Sequence, residues 1–399
     1  MRLDHVPGEV HLTYCTNIHA GETWDAIIES LNAHVPSIKG QVSPDRPMGL
    51  GLRLSAIAAQ ELSEPRVLAD FRTFLAIHGL YVFTINAFPY GPFHGTRVKE
   101  DVYQPDWLQP ERLAFTDRVA DILAALLPEG GVGSISTVPG TFKPLGQQAG
   151  APERIAHNIV RHAATLVGLR RRTGREIVLA LEPEPCCFLE TIEETVAFFR
   201  DHLHGEASAA MLAEHAGIDL AAARQALRRH IGVCYDICHG AVEFEAPAAA
   251  FAAFETAHIR VAKLQLSSAL RVPDVDETTE RALSAFDDGV YLHQVIQQRN
   301  GAIARYVDLA PAFAALRAGD AGGEWRVHCH VPIFLEKAGA FHSTQQTLKE
   351  ALACCRQRFV APHLEVETYT WDVLPPQLRQ GSRAEAIARE MEWVIQELR

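Results

Sequence analysis

The chain has 399 residues, 48% of them apolar and 22% charged, and a formal net charge of −12. Such a composition supports a sizeable core, which excludes disorder as the main character, and the acidic excess argues against a nucleic-acid partner. At roughly 150 residues per domain two or three domains are expected, yet one elaborated α/β barrel also fits the length. No apolar run reaches the roughly 18 residues of a membrane span, and the N-terminus lacks the charged-then-apolar order of a signal peptide. The expected location is therefore cytoplasmic, where the eight cysteines, none in a CxxC, read as reduced and mostly buried thiols. The densest basic cluster, Arg170-Arg171-Arg172 with Arg175, follows a helical pattern and reads as a helix C-terminus.

Nine short apolar or β-branched runs follow in chain order, at 11–17, 49–55, 80–88, 133–139, 176–184, 231–239, 258–267, 325–334 and 363–371. Each is bounded by Gly, Pro or polar residues. Between them lie helical patterns, among them 23–35, 65–79, 112–131 and 154–174, with apolar residues at i, i+3 and i+4. This alternation predicts a parallel sheet covered by helices, closed as a TIM (β/α)8 barrel. Nine candidates compete for eight places, so either 258–267 or 325–334 lies outside the barrel. An open doubly wound sheet is disfavoured because the first run is followed by Thr16-Asn17-Ile18-His19 and not by GxGxxG. GGVGS at 130–134 precedes a strand, and no P-loop pattern occurs. The whole chain, 1–399, is expected to form a single elaborated domain. Its long stretches are 89–110, a helical insertion near 203–230, and a lid-like insertion near 268–324 that carries Tyr291 and His293.

Residues i and i+2 of a strand share a face, and a charge pointing inward at the C-terminal end of a barrel strand has no structural purpose. Five places meet that test. Glu182 and Glu184 close the fifth run, with solvated loop carboxylates as the alternative. Asp236 and His239 form D-x-x-H at the sixth, where the Asp can also serve as a helix cap. Lys263 and Gln265 place polar groups in an apolar run, or face water from an edge strand. His328 and His330 form H-x-H, which on a strand sets two imidazoles on one side, as metal ligands or as a buried hydrogen-bonded pair. Glu365 and Glu367 end the last run, with Glu367 the better inward candidate. Early runs offer substrate contacts in Arg53, Asn86, Tyr90 and His94.

Carboxylates and imidazoles together suit one divalent cation, Mn, Zn, Co, Fe or Mg, with Glu182, Asp236, His239, His330 and Glu367 as its candidate ligands. Glu182 and Glu367 are also the candidate catalytic acid and base. Arg53, Asn86, Tyr90, His94, Lys263, Gln265 and His328 are the candidate substrate contacts. Two carboxylates beside a cation can take a proton from one carbon of a hydroxy-carbonyl compound and return it to another.

The order Glu, Asp-x-x-His, Glu resembles the xylose isomerase-like superfamily of sugar isomerases, epimerases and endonuclease barrels. The resemblance implies that Glu182, Asp236, His239 and Glu367 take the family's positions, and that a His is due where this chain has Gln265. Longer phrases, LTYCTNIH, LYVFTINAFPYG, GSISTVPG, KLQLSSAL and LEVETYTWDVLP, closely resemble the EboE family of metabolite traffic proteins over almost the full length. That family implies a role around small secondary metabolites and partners encoded in one gene cluster, and leaves homo-oligomers open. The leading expectation is a metal-dependent sugar isomerase or epimerase acting on a small hydroxy-carbonyl metabolite. A ligand-binding carrier on the same barrel is the alternative that Gln265 motivates. A phosphodiester hydrolase is third, disfavoured by the acidic charge.

Overall fold

In the computed structural model, which describes residues 1–94, 97–276, 278–372, 374–379 and 381–399, eight parallel strands form one closed sheet. They are β1 (Val10–Tyr14), β2 (Met48–Arg53), β3 (Leu80–Asn86), β4 (Val132–Thr137), β5 (Glu176–Leu181), β6 (Ile231–Asp236), β7 (Arg260–Leu266) and β8 (His363–Val366). Their hydrogen-bonded order is β1-β8-β7-β6-β5-β4-β3-β2. Closure between β1 and β2 comes from a parallel bridge, Cys15 to Gly51. The Thr13 hydroxyl reinforces it, donating to the Gly49 carbonyl and accepting from the Gly51 amide, both at 2.9 Å. This is a (β/α)8 barrel. Of the two doubtful runs, 258–267 supplies β7, and 325–334 lies outside.

The runs read as strands because both faces are covered: β2, β6 and β8 are buried at every residue, as parallel strands under helices are. Their inward face is polar. Lys263 and Glu365 meet in the lumen at 2.5 Å, both fully buried. Gly51 makes room for that pair, since a Cβ there would lie 1.9 Å from Glu365 Oε1. The covering helices include α1 (Trp24–Val42), α2 (Pro65–Ile77), α3 (Pro110–Leu126), α4 (Ala151–Thr173), α5 (Leu220–His230), α6 (Pro247–Thr256), α7 (Gln345–Gln357) and α8 (Arg383–Glu397). The arginine cluster occupies the last turn of α4, which stops at Gly174 with φ of 70°, as a left-handed C-terminal glycine allows. Helix α8 opens with a Ser382–Glu385 capping box and packs on α1, completing the outer ring.

Between β7 and α7 the chain builds a second, antiparallel sheet. Its order is Ala302–Tyr306, Val295–Arg299, Glu324–Val327, Leu270–Val272, Phe341–Ser343, Lys337–Ala338. Trp325 is its buried anchor, with its indole N–H on Gln297 Oε1 at 3.1 Å. The 325–334 run is therefore a strand only to Val327. No helix among the described residues is long and apolar enough to cross a membrane, and all eight cysteines are free of disulfides.

Candidate metal centre

The ends of β5, β6 and β8 converge with one segment of the insertion. Asp236 is the last residue of β6, while Glu182 and Glu367 each stand one residue beyond their strands. Asp236 fulfils its helix-cap reading with one oxygen and leaves the other unbonded. Its Oδ1 caps the next turn, accepting from the His239 amide at 3.2 Å and from the Ser267 hydroxyl at 2.6 Å. Its Oδ2 is buried with no hydrogen-bond partner.

Three imidazoles meet above Asp236. His239 Nδ1 lies 2.8 Å from the Pro183 carbonyl, His330 Nδ1 lies 2.7 Å from the Glu367 carbonyl, and His328 Nδ1 lies 2.8 Å from Gln294 Oε1. The amide nitrogen of Gln294 is committed elsewhere, donating to Tyr103, Glu184 and Pro185, so its Oε1 must be an acceptor. Every Nδ1 therefore carries the proton, and in the neutral rings every Nε2 presents a lone pair. The three Nε2 atoms face one another: His239 Nε2 is 3.2 Å from His328 Nε2, which is 3.3 Å from His330 Nε2, and the neighbouring carboxylates raise the proton affinity of His239 despite its burial. Asp236 Oδ2 is 3.8 Å from the first and 3.9 Å from the third.

Beside them, one oxygen each of Glu182, Asp236 and Glu367 lie within 4.8 Å of one another, all buried. Glu367 Oε1 accepts from the side-chain amides of Asn17 at 2.7 Å and Asn86 at 3.1 Å. Glu182 Oε2 has no partner. Burial, with the neighbouring carboxylates, pushes the proton affinity of Glu367 well above the usual carboxylate range. Burial also raises Glu182, to about 8 against the pull of His239. Asp236 moves the other way: burial opposes its charge, but His239, His330 and the Ser267 hydroxyl outweigh it. Burial and three neighbouring imidazoles, His239, His330 and His293, hold His328 well below its ordinary value.

This donor set fits a divalent cation. A tetrahedral ion with bonds of about 2.0–2.1 Å to nitrogen has ligand edges of about 3.3–3.4 Å, which matches the imidazole separations. Lone pairs aimed at one another, and orphaned buried carboxylate oxygens, are costly unless a cation or a proton lies between them. Each imidazole also has its other nitrogen fixed by an oxygen, the arrangement that orients metal-binding histidines.

The cavity over the centre has a volume of about 60 Å³. Glu182, His239, His328, His330, Glu367 and Asn86 line it, as do Asn17, Lys99, Tyr103, Glu184, Phe88, Phe93, Tyr291, Leu292 and Tyr369. Five sequence candidates for substrate contact stand away from it. Arg53 braces the roof from below, donating to Gly21, Gly91 and Glu22, because an inward guanidinium at the end of β2 meets carbonyls of the two loops above it. Tyr90 turns outward, its ring 5.2 Å from Phe115 and 5.9 Å from the Arg112 guanidinium. Lys263 is committed to Glu365. Gln265, the register partner of both Asp236 and Glu365, lies in the lumen with neither amide atom bonded. His94 sits behind the cavity wall, its Nε2 on the Asn17 carbonyl at 2.6 Å. His328 lines the cavity but stands among the imidazole donors. It and His330 lie beyond the strand that H-x-H was expected to occupy.

Asn17 was the residue sequence reasoning missed. It lies in a short 3-10 turn, Thr16–Ile18, just past β1, where no strand period marks it. Tyr103, Gln294 and Tyr369 come from irregular loops, where no period marks them.

No protein-family model and no curated protein matches the chain, so the likeness to the EboE family rests on the sequence phrases alone. Among solved structures, the chain is similar to a probable 3-DHS dehydratase, AsbF, involved in petrobactin synthesis in Bacillus anthracis. Identity is 10%, coverage 96% of this chain and 98% of that one, and the TM-score 0.42. An IolI protein with a bound zinc atom aligns at 12% identity, 98% coverage of each chain and a TM-score of 0.41. A xylose isomerase domain protein from Planctomyces limnophilus aligns at 12% identity, 88% coverage of each chain and a TM-score of 0.45. The fold assignment stands on the strand order and closure described above.

Proposed function

We propose that the protein is a metal-dependent enzyme of the sugar isomerase or epimerase kind, acting on a small hydroxy-carbonyl metabolite. The observation that carries this reading is the convergence of three imidazole Nε2 atoms on a cluster of buried, incompletely bonded carboxylates. Asp236, His239, His330, Glu182 and Glu367 are the residues that would hold the cation, with His328 beside them. A divalent ion there supplies Lewis acidity toward the oxygens of a hydroxy-carbonyl group.

The chain's own residues supply the proton chemistry. Glu182 and Glu367 flank the cavity floor, and their environments separate them. Glu367 is gripped by two amide donors on one oxygen, while Glu182 keeps an oxygen without a partner. Two carboxylates with unequal surroundings can hold a proton at one and not the other, as an acid–base pair requires. The packed rings of Phe93, Tyr291 and Tyr369 give the cavity an apolar wall against which a small substrate would lie. The imidazoles of His328 and His330 supply donors in place of the histidine that Gln265 lacks, which supports the enzyme reading over the carrier. A cytoplasmic location and a role in secondary-metabolite traffic, beside other products of one gene cluster, belong to the same proposal and rest on the sequence phrases.

The test is exchange of carbon-bound hydrogen. The metal-loaded protein is incubated in D2O with a panel of ketoses, aldoses and cyclic hydroxy-ketones, and NMR follows deuterium entering carbon. Deuterium incorporation that vanishes in Glu182→Gln and Glu367→Gln supports the reading. Metal-loaded protein that binds panel members yet exchanges none of them returns the carrier.

A further inference from the structure

A second cavity, of about 600 Å³, adjoins the one over the metal centre, and Lys99 and Leu292 line both. We propose that this outer cavity seats an oxyanion of the substrate, a carboxylate or a phosphate ester, while the hydroxy-carbonyl end reaches the inner cavity. The inference rests on the metal-enzyme reading above and deepens it by naming the substrate class.

Cations reach this cavity from three separate parts of the fold. Arg97 and Lys99 follow β3, Lys143 follows β4, and Arg305 belongs to the insertion's sheet. The carboxylates on the same wall are Glu100, Glu190 and Asp308. Some of these charges tie the barrel to the insertion: Lys99 meets Asp308 at 2.7 Å, and Arg305 meets Glu243 at 2.6 Å and Glu190 at 3.4 Å. The pairing does not exhaust the donors. An ammonium has three N–H groups and a guanidinium five. Lys99 spends one on Asp308, and Lys143 spends two, on Glu190 and Glu194. Arg305 engages Glu243 through Nε and Nη2, which leaves Nη1 over. Arg97 is exposed and has no ion pair among the described residues. Surplus cationic N–H groups on one concave wall offer charge-assisted hydrogen bonds to an oxyanion. A neutral ligand would leave them to water, so the cavity discriminates by charge. The rest of the wall is apolar. Phe142 stacks on Tyr103, which lines the inner cavity, with ring centroids 5.5 Å apart and planes inclined by 10°. A carbon skeleton can therefore run along one wall from the inner cavity to the outer.

The experiment is calorimetric titration of the full chain with matched sugars that differ by one anionic group: ribose 5-phosphate against ribose, and galacturonate against galactose. Each titration is run in Mn²⁺ buffer and again after chelation. At least one charged sugar is expected to bind about tenfold tighter than its neutral partner. That advantage is expected to survive chelation, to shrink in high salt and to shrink in Arg97→Glu. An advantage confined to ribose 5-phosphate assigns a phosphate ester, and one confined to galacturonate assigns a carboxylate. Equal binding of charged and neutral sugars, or no binding of either charged sugar, overturns the proposal. So does an advantage that vanishes with the metal, which would place the anion on the cation, or one that salt does not weaken. Protein that exchanges deuterium into neutral sugars yet shows no preference for charged ones keeps the metal-enzyme reading and loses the outer anion site. The salt dependence of the wild type decides the matter even if the variant does not fold.

Discussion

Gln294 shows how much of the centre depends on a residue that carries no charge. Its Oε1 fixes which nitrogen of His328 bears the proton, and its amide nitrogen is fixed in turn by Tyr103, Glu184 and Pro185. Gln294→Ala frees the ring to turn, and metal affinity is expected to fall by about 10–100-fold, measured by competition with a chromophoric chelator. Unchanged affinity would remove His328 from the ligand set. A different residue-scale balance lies below the site. Lys263 and Glu365 are a fully buried pair, so Lys263→Met strands a carboxylate in the lumen and is expected to cost about 3–5 kcal/mol. The double change Lys263→Met with Glu365→Leu is expected to regain most of that loss. Urea unfolding of the three proteins measures the difference, and a double variant no more stable than the single would contradict the pairing.

At the scale of elements, the barrel supplies the carboxylates and the insertion supplies two of the three imidazoles. His328 and His330 leave the Glu324–Val327 strand directly, so the place of that strand sets theirs. Trp325 is its anchor, fully buried and bonded to Gln297. Trp325→Ala is expected to cost about 3–5 kcal/mol and to weaken metal binding although it removes no ligand. Calorimetric titration checks this, and a variant that is destabilised yet binds metal like the wild type would show that the His pair is held some other way. The roof has the same divided origin. Phe93 follows β3, Tyr291 belongs to the insertion, and Tyr369 follows β8, and the three rings pack together.

At the scale of the whole molecule, the metal centre ties stability to pH. In the metal-free protein, burial raises Glu182 from 4.5 to about 8 and Glu367 also upward. The folded state then binds these protons more tightly than the unfolded state does. Their contribution is fully present below the unfolded value of 4.5 and is lost as pH rises toward about 8. The melting temperature of chelator-treated protein is therefore expected to fall across that window relative to that of Glu182→Gln, whose amide does not titrate. Added Zn²⁺ or Mn²⁺ should offset the fall most at the high end, where the carboxylates are ionised. At free metal 100 times its dissociation constant, binding stabilises by about 2.7 kcal/mol. Scanning fluorimetry with and without metal measures both slopes, and equal slopes would separate the carboxylates from the metal.

The sequence by itself determined the barrel, because β-branched runs punctuated by Gly and Pro and separated by amphipathic helices have one economical solution. It also marked Glu182, Asp236 and Glu367, because a charge at the end of an apolar strand is conspicuous in one dimension. Tertiary structure alone decided which doubtful run left the barrel. A strand's pattern records its own burial and not its partner, and 258–267 and 325–334 are both apolar. It alone decided that Arg53 and Tyr90 turn away from the cavity, since the carbonyls and rings that hold them come from distant loops. It alone brought His328 and His330 beside His239, residues about 90 apart in the chain with no period connecting them. Proximity across an insertion is set by the sheet that carries it, and nothing in the spacing of the histidines encodes that sheet's place on the barrel.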